Sequence, residues 1–436
     1  MYIKVILFCW LLACCKVYGQ PATGKVFTSD IDNFWIAYDS IRSTKDSTEQ
    51  LRYINDLYIN KGTPGLHAFM KARDYSAARW VSLINQYPKF WNSIRPNTLR
   101  SRTMASEIDK SIRTLKALYP LLREAKIYFT IGGLRSGGTT TGNMVLIGTE
   151  IASGTAATDV SEFPDKWLAG VFKTQDTANI VPLNIHEYVH TQQLGESNSL
   201  LSQCLREGAC DFITELVMGR PLTNNYIVYG NAHEQELKDQ FKKEMYTSYY
   251  RNWLYNGASA RTVADLGYFM GYAINKAYYQ QASDKQKAVR DIIELKYANN
   301  AEVEKFVKES GYYPGNWSKE SLLNDLETNR PKVVSLEPFK NGAMNVDPEI
   351  SEMTVTFSAP MDKNNYSISY GGRGKEYYPI AGVIGFSGDG TAFTIKLNLQ
   401  PDHEYEFQIT DLSFRSETDY PLKPLKVTFK TAPPSR

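Results

Sequence analysis

The segment Ile185-His186-Glu187-Tyr188-Val189-His190 holds the residues best suited to chemistry. His186 and His190 stand four apart, so on a helix both imidazoles leave one face. Two neutral imidazoles are good zinc ligands. Glu187 lies beside that face and can reach a water on the metal. Zinc lowers the pKa of such a water toward roughly 7, and a carboxylate can then take its proton. The segment therefore implies Zn2+ as cofactor, His186 and His190 as ligands and Glu187 as catalytic base. The whole chain has five histidines, so this spacing seldom arises by chance. The competing explanation is a surface helix that carries two histidines and a glutamate for no chemical reason.

Zinc held for catalysis needs a third protein ligand. The metzincin pattern would need Gly at 193 and His at 196, and the chain has Gln193 and Glu196 there. His67, His233 and His403 are remote and their spacing fits no known ligand set. A better donor lies downstream, where residues 201–212 are expected to form a second helix with Glu207 and Asp211 on one face. Two antiparallel helices joined through the loop 195–199 would bring that face to the histidines. Glu207 is then the third metal ligand, and Asp211 orients a ligand histidine by accepting from its free ring N–H. Gly208 and Ala209 permit close packing. Glu196 is the rival ligand, nearer in sequence but in the loop. A second donor to the oxyanion is expected from Tyr268 or Tyr272, ahead of His233.

H-E-x-x-H followed by E-x-x-x-D resembles the gluzincin metallopeptidases. The nearer likeness is to a group of predicted bacterial zinc proteases with a downstream Glu-Gly. It spans roughly residues 27–325 and includes Asp30, Phe34-Trp35, a glycine-rich strand pair and Gly267-Tyr268-Phe269-Met270-Gly271-Tyr272. It implies His186, His190 and Glu207 as metal ligands and Glu187 as base. Further on, Ser335, Pro338, Gly342, Val346-Asp347-Pro348, Phe357-Ser358-Ala359-Pro360-Met361-Asp362 and Thr428-Phe429-Lys430-Thr431 resemble a bacterial Ig-like domain, which carries no catalytic group.

The elements that must position these residues follow from periodicity. Residues 27–126 are expected to be helical, with Ile31, Phe34, Trp35 and Tyr38 on one stripe. Ile127–Ile131 and Met144–Gly148 alternate as strands around a glycine-rich turn. Met144–Gly148 is expected to be the edge strand that pairs with extended substrate, or else an ordinary core strand. Residues 182–279 are helical again. From Pro331 on, short alternating segments separated by prolines imply a β-sandwich. The fold class is α+β, a mainly helical zincin-like domain over 20–330 followed by an all-β domain over 331–436, each expected to fold alone.

The chain has 436 residues, and 49 basic against 47 acidic side chains leave a net charge of +2. That balance argues against nucleic acid as the main partner. Residues 1–19 resemble a signal peptide, with Lys4 before a short apolar run. Two exits are open, cleavage after Gly19 or a lipobox-like Leu11-Leu12-Ala13-Cys14 that would make Cys14 a lipid anchor. The first is favoured. No later stretch is long and apolar enough to span a bilayer. Beyond the leader only Cys204 and Cys210 remain, on poorly matched faces of one helix, and no bridge is expected. The functional expectation is an exported bacterial zinc peptidase acting on peptide or protein substrates through a Glu187-activated water. The alternative is a non-catalytic cell-envelope protein that binds peptide or glycan on the same scaffold. Intact Glu187 favours the enzyme, because metal binding alone does not need it.

Overall fold

The computed structural model describes residues 25–164, 166–257 and 262–434. The expected export signal and Cys14 lie outside them. Among the described residues, no helix is long and apolar enough to cross a membrane. The architecture is α+β.

Residues 29–118 are mainly helical, as their apolar stripes require. Helix Ser29–Arg42 buries Ile31, Phe34, Trp35 and Tyr38, and Phe34 packs on Tyr58 and Trp91. Asp30 is buried on the same helix and accepts hydrogen bonds from the Thr63 backbone N–H (2.9 Å) and hydroxyl (2.5 Å). Thr63 also caps the helix Pro64–Arg73. One carboxylate thus ties two helices together, with burial raising its pKa against the Thr63 hydrogen bonds that lower it.

A four-stranded sheet follows. Its strands are β1 (Val26–Phe27), β2 (Lys126–Thr130), β3 (Gly138–Thr141) and β4 (Met144–Gly148), in the order β1-β2-β4-β3. The β1–β2 and β2–β4 pairs are parallel, and β3 returns antiparallel to β4. This corrects the expected edge strand. Met144–Gly148 lies between two neighbours and is buried over most of its length, whereas β3 stands at the edge. Gly138-Thr139-Thr140-Thr141 lacks the apolar alternation that marks a strand in sequence.

Three helices frame the site: the motif helix Ile180–His190, the helix Leu200–Met218 and the helix Leu266–Gln281. The last two cross at glycines. A Cβ on Gly208 would stand 2.0 Å from the Tyr272 backbone nitrogen, and one on Gly271 would stand 1.7 Å from the Cys204 carbonyl oxygen. Both obstacles are backbone, so no rotamer change relieves them. Gly271→Ala should therefore force the helices apart and destabilise the chain by more than the ~1–3 kcal/mol usual for overpacking. Gly170, with open space at its Cβ position, is the control, and Gly170→Ala should gain about 0.5–1 kcal/mol. Chemical denaturation of the two variants decides the point. Equal stabilities would mean that the crossing is not tight.

The C-terminal domain is all-β. Its strands are β5 (Val333–Glu337), β6 (Glu352–Phe357), β7 (Ile368–Tyr370), β8 (Ile380–Phe386), β9 (Ala392–Leu397), β10 (Glu404–Ile409) and β11 (Leu425–Lys430). They form two sheets, β5-β6-β9-β8 and β11-β10-β7, with every strand pair antiparallel. Buried apolar residues fall into two clusters, one running from Ile31 to Trp317 and one from Leu336 to Phe429.

Candidate metal centre

The motif helix is nearly all buried, which fixes its rotation. Ile180, Val181, Ile185, Tyr188 and Val189 pack inward, and the Tyr188 hydroxyl accepts the Ala125 backbone N–H at 2.9 Å, just before β2. The helix Leu200–Met218 begins at a capping box, Ser199 with Ser202. Leu200, Leu201, Leu205, Phe212 and Ile213 anchor it.

These two helices bring His186, His190, Glu207 and Asp211 together. The His186 Nδ1 lies 2.8 Å from Asp211 Oδ1. An ionised carboxylate only accepts, so this ring nitrogen carries a proton and Nε2 is the nitrogen turned toward Glu207. The His190 Nδ1 lies 2.8 Å from Gln193 Oε1. The Gln193 amide cannot be reversed, because its Nε2 donates to the Arg206 carbonyl at 2.8 Å. His190 therefore also donates from Nδ1, and its Nε2 is the nitrogen turned toward Glu207. Both Nε2 nitrogens face the same carboxylate oxygen. Glu207 Oε2 is 3.0 Å from His190 Nε2 and 3.5 Å from His186 Nε2. Its other oxygen accepts from Gln203 Nε2 at 2.8 Å and lies 3.4 Å from the Tyr255 hydroxyl.

The electrostatics of this cluster favour positive charge between the imidazoles and the carboxylate. Burial acts to deprotonate His186, yet the Asp211 charge and its hydrogen bonds to Asp211 and Glu207 hold its pKa well above the ordinary value. Burial acts to neutralise Glu207, yet the two imidazoles hold its pKa well below the carboxylate range. The two nitrogens and one oxygen thus surround a point that favours positive charge. That donor set suits zinc. His186, His190 and Cys210 also lie within 4.8 Å of one another, but the geometry disfavours the thiol. Cys210 Sγ sits 3.3 Å from His190 Nδ1, the nitrogen committed to Gln193. Burial also pushes the Cys210 pKa well up, away from the thiolate that binds metal.

Glu187 is buried beside the cluster, and desolvation raises its pKa despite the neighbouring imidazoles. Edge strand β3 runs against it. A Cβ on Gly138 would lie 2.9 Å from Glu187 Oε1, so glycine is what lets the strand approach. A cleft of about 360 Å³ opens here, lined by His186, Glu187, Gly138, Tyr268, Trp167 and Leu168 among others.

The tyrosines separate. Tyr268 stacks on the His186 ring at 6.3 Å and lines the cleft. Tyr272 does not reach it, because its hydroxyl donates to Glu215 at 2.8 Å and accepts from Lys276 Nζ at 2.6 Å. The Tyr272 hydroxyl is thus engaged by Glu215 and Lys276 and not at the cleft. Lys276, one turn on, also donates to Glu215, at 3.1 Å. His233 is held at the Tyr229 carbonyl, 2.9 Å away, and Glu196 is exposed in the loop. Sequence reasoning missed Gln193 and Tyr255, neither of which has a spacing that marks it.

It also missed Glu150, which shapes the cleft wall. This fully buried carboxyl accepts the backbone N–H groups of Gly132 (2.8 Å) and Leu134 (3.2 Å) and so holds the loop that leads into β3. Burial pushes its pKa up to about 7. A carboxyl raised in the folded state favours folding while protonated, so stability should fall as pH rises from about 4.5 to about 7. The loss from this group is on the order of 3 kcal/mol. Urea unfolding of wild type and Glu150→Gln across that window checks it. The variant should show the flatter profile, and parallel profiles would exclude Glu150 as the source.

Residues 149–299 match the model of a family described as a predicted Zn-dependent protease. Residues 327–431 match the bacterial Ig-like domain. The chain thus joins a region of the first kind to a domain of the second. No curated protein matches it. Among solved structures, CopC from Methylosinus trichosporium OB3b is similar at 16% identity and TM-score 0.20, over 24% of this chain and 98% of that one. Surface layer protein SbsC, domains 1-6, is similar at 17% identity and TM-score 0.18, over 66% of this chain and 44% of that one. At these scores neither likeness bears on fold or function.

Proposed function

We propose that this chain is an exported zinc-dependent peptidase whose zinc is held by His186, His190 and Glu207 and whose general base is Glu187. One observation carries the reading. Two imidazole Nε2 atoms converge on one carboxylate oxygen, with a buried glutamate at the mouth of a cleft beside them. The match of residues 149–299 to predicted zinc-dependent proteases supports the same chemistry. The apolar leader and the Ig-like domain support export. We take residues 20–330 as the peptidase domain and 331–436 as the Ig-like domain.

Zinc, when bound, would polarise the scissile carbonyl and make a water acidic enough to attack. The protein does the rest. The free side of β3 offers backbone groups to an extended peptide. Glu187 takes the proton of the attacking water and returns it to the leaving amine nitrogen. Tyr268, which lines the cleft beside His186, is the residue we assign to donate its hydroxyl to the carbonyl oxygen. Asp211 and Gln193 hold the imidazoles in the tautomer that leaves Nε2 unprotonated.

The test pairs zinc content with hydrolysis of a random peptide library. Purified protein should hold one zinc per chain and cleave peptides. His186→Ala should lose both, because two remaining ligands rarely retain zinc. Full zinc occupancy in that variant would refute the site. Zinc without hydrolysis in the wild type would favour the binding-protein alternative.

A further inference from the structure

The Ig-like domain does not hang from a free linker. Its Arg415 is buried, and Nη2 lies 2.6 Å from Oε1 of Glu244, which is fully buried in the peptidase domain. Asp419 also holds the guanidinium, accepting from Nε at 2.5 Å. Nearby, Lys243 Nζ donates to the Thr418 carbonyl at 2.9 Å. The Tyr420 hydroxyl donates to Asp325 at 2.8 Å. Arg330 at the junction donates to the carbonyls of Pro421 and Leu422 and to the Tyr249 hydroxyl. A fully buried carboxylate whose cationic partner comes from another domain needs that domain in place.

Glu244 leads to the metal centre by two short routes. Its Oε2 accepts from Asn252 Nδ2 at 2.8 Å. The Asn252 carbonyl accepts from Asn256 Nδ2 at 3.2 Å, and Asn256 Oδ1 accepts the Asp265 backbone N–H at 2.8 Å. Asp265 Oδ1 in turn accepts the Tyr255 N–H at 2.6 Å. Tyr255 is largely exposed and sits at φ 57°, a left-handed conformation uncommon for a bulky residue, with its N–H held by Asp265. Its hydroxyl accepts from Gln203 at 2.7 Å and reaches Glu207. On the second route, the carbonyl of Met245, next to Glu244, accepts the Leu201 N–H at 3.1 Å. That bond ties down the start of the helix that carries Glu207.

We propose that the Ig-like domain is a fixed brace of the metal centre, and that Arg415 is the positioning residue through which it acts. Arg415 holds Glu244, Glu244 holds the 249–256 segment through Asn252, and that segment holds Tyr255 against Gln203 and Glu207. The inference rests on the zinc reading of His186, His190 and Glu207.

The test is made on the full chain, with zinc affinity measured by competition against a chromophoric chelator. Arg415→Met should weaken zinc about 10-fold, in the range of lost outer contacts at metal sites, and Arg415→Lys should recover part of it. Tyr255→Phe should weaken zinc similarly. The pair should be non-additive, with Arg415→Met costing little further in the Tyr255→Phe background. Should Arg415→Met fail to fold, Asn252→Ala breaks the middle link, leaves the buried ion pair intact and should give the same loss. Lower thermal stability at unchanged zinc affinity, or full additivity with Tyr255→Phe, overturns the brace. A wild-type chain that binds no zinc overturns the site itself. Wild type that binds zinc, with variants that bind it equally, overturns only the brace.

Discussion

Glu187→Gln should leave zinc bound and reduce peptide hydrolysis by about 10²–10⁴-fold, the usual contribution of a general base. The substitution is nearly isosteric. That matters here, because Gly138 leaves no spare room at the Glu187 carboxylate. An amide keeps the packing against β3 but cannot take a proton at neutral pH. The hydrogen bonds that fix the imidazoles come from Asp211 and Gln193, not from Glu187, so metal affinity should stay within a few-fold of wild type. Zinc content and single-turnover rates on one cleaved peptide separate the two effects. Undiminished turnover would put the base elsewhere. Loss of zinc together with activity would mean that Glu187 holds the metal or the fold, and the division of labour proposed here would fail.

How much of this was legible in the sequence depends on whether the signal was local. The i, i+4 spacing of His186 and His190, and of Glu207 and Asp211, sets side chains on helix faces whatever the tertiary fold. The meeting of those two faces therefore followed from a short connection, whereas Gly208 serves the crossing with the helix Leu266–Gln281. The sandwich was legible because alternation and proline punctuation are properties of each strand alone. What could not be read depends on partners far along the chain. Edge strand β3 is polar and glycine-led, and only its pairing with β4 makes it a strand. Gln193 holds His190 only because the Arg206 carbonyl orients its amide. Tyr272 is taken from the site by Glu215, which lies on a different helix. Tyr255 lies 48 residues beyond Glu207 and reaches it through a backbone conformation that no residue type announces.

The third ligand is the other assignment with a large expected effect. Glu207→Ala should weaken zinc by several orders of magnitude, and Glu196→Ala should leave it nearly unchanged. A ligand atom must be held within a few tenths of an ångström, and a packed helix does this better than a loop. Glu207 lies on a helix anchored by Leu200, Leu201, Leu205, Phe212 and Ile213. One of its oxygens faces both Nε2 atoms while the other is held by Gln203. Glu196 is exposed between Gly195 and Ser197 with no such support. Cys210 is the remaining competitor, and it approaches His190 from the wrong nitrogen. Cys210→Ala should therefore keep zinc. Asp211→Ala and Gln193→Ala each remove the hydrogen bond that fixes a ring tautomer, and each should weaken zinc by roughly 10–100-fold. The expected ranking places Glu207→Ala far above Asp211→Ala and Gln193→Ala, with Cys210→Ala and Glu196→Ala close to wild type. If Cys210→Ala instead releases the metal while Glu207→Ala retains it, the centre is a His-His-Cys site. Glu207 would then be only the buried counter-charge of two imidazoles.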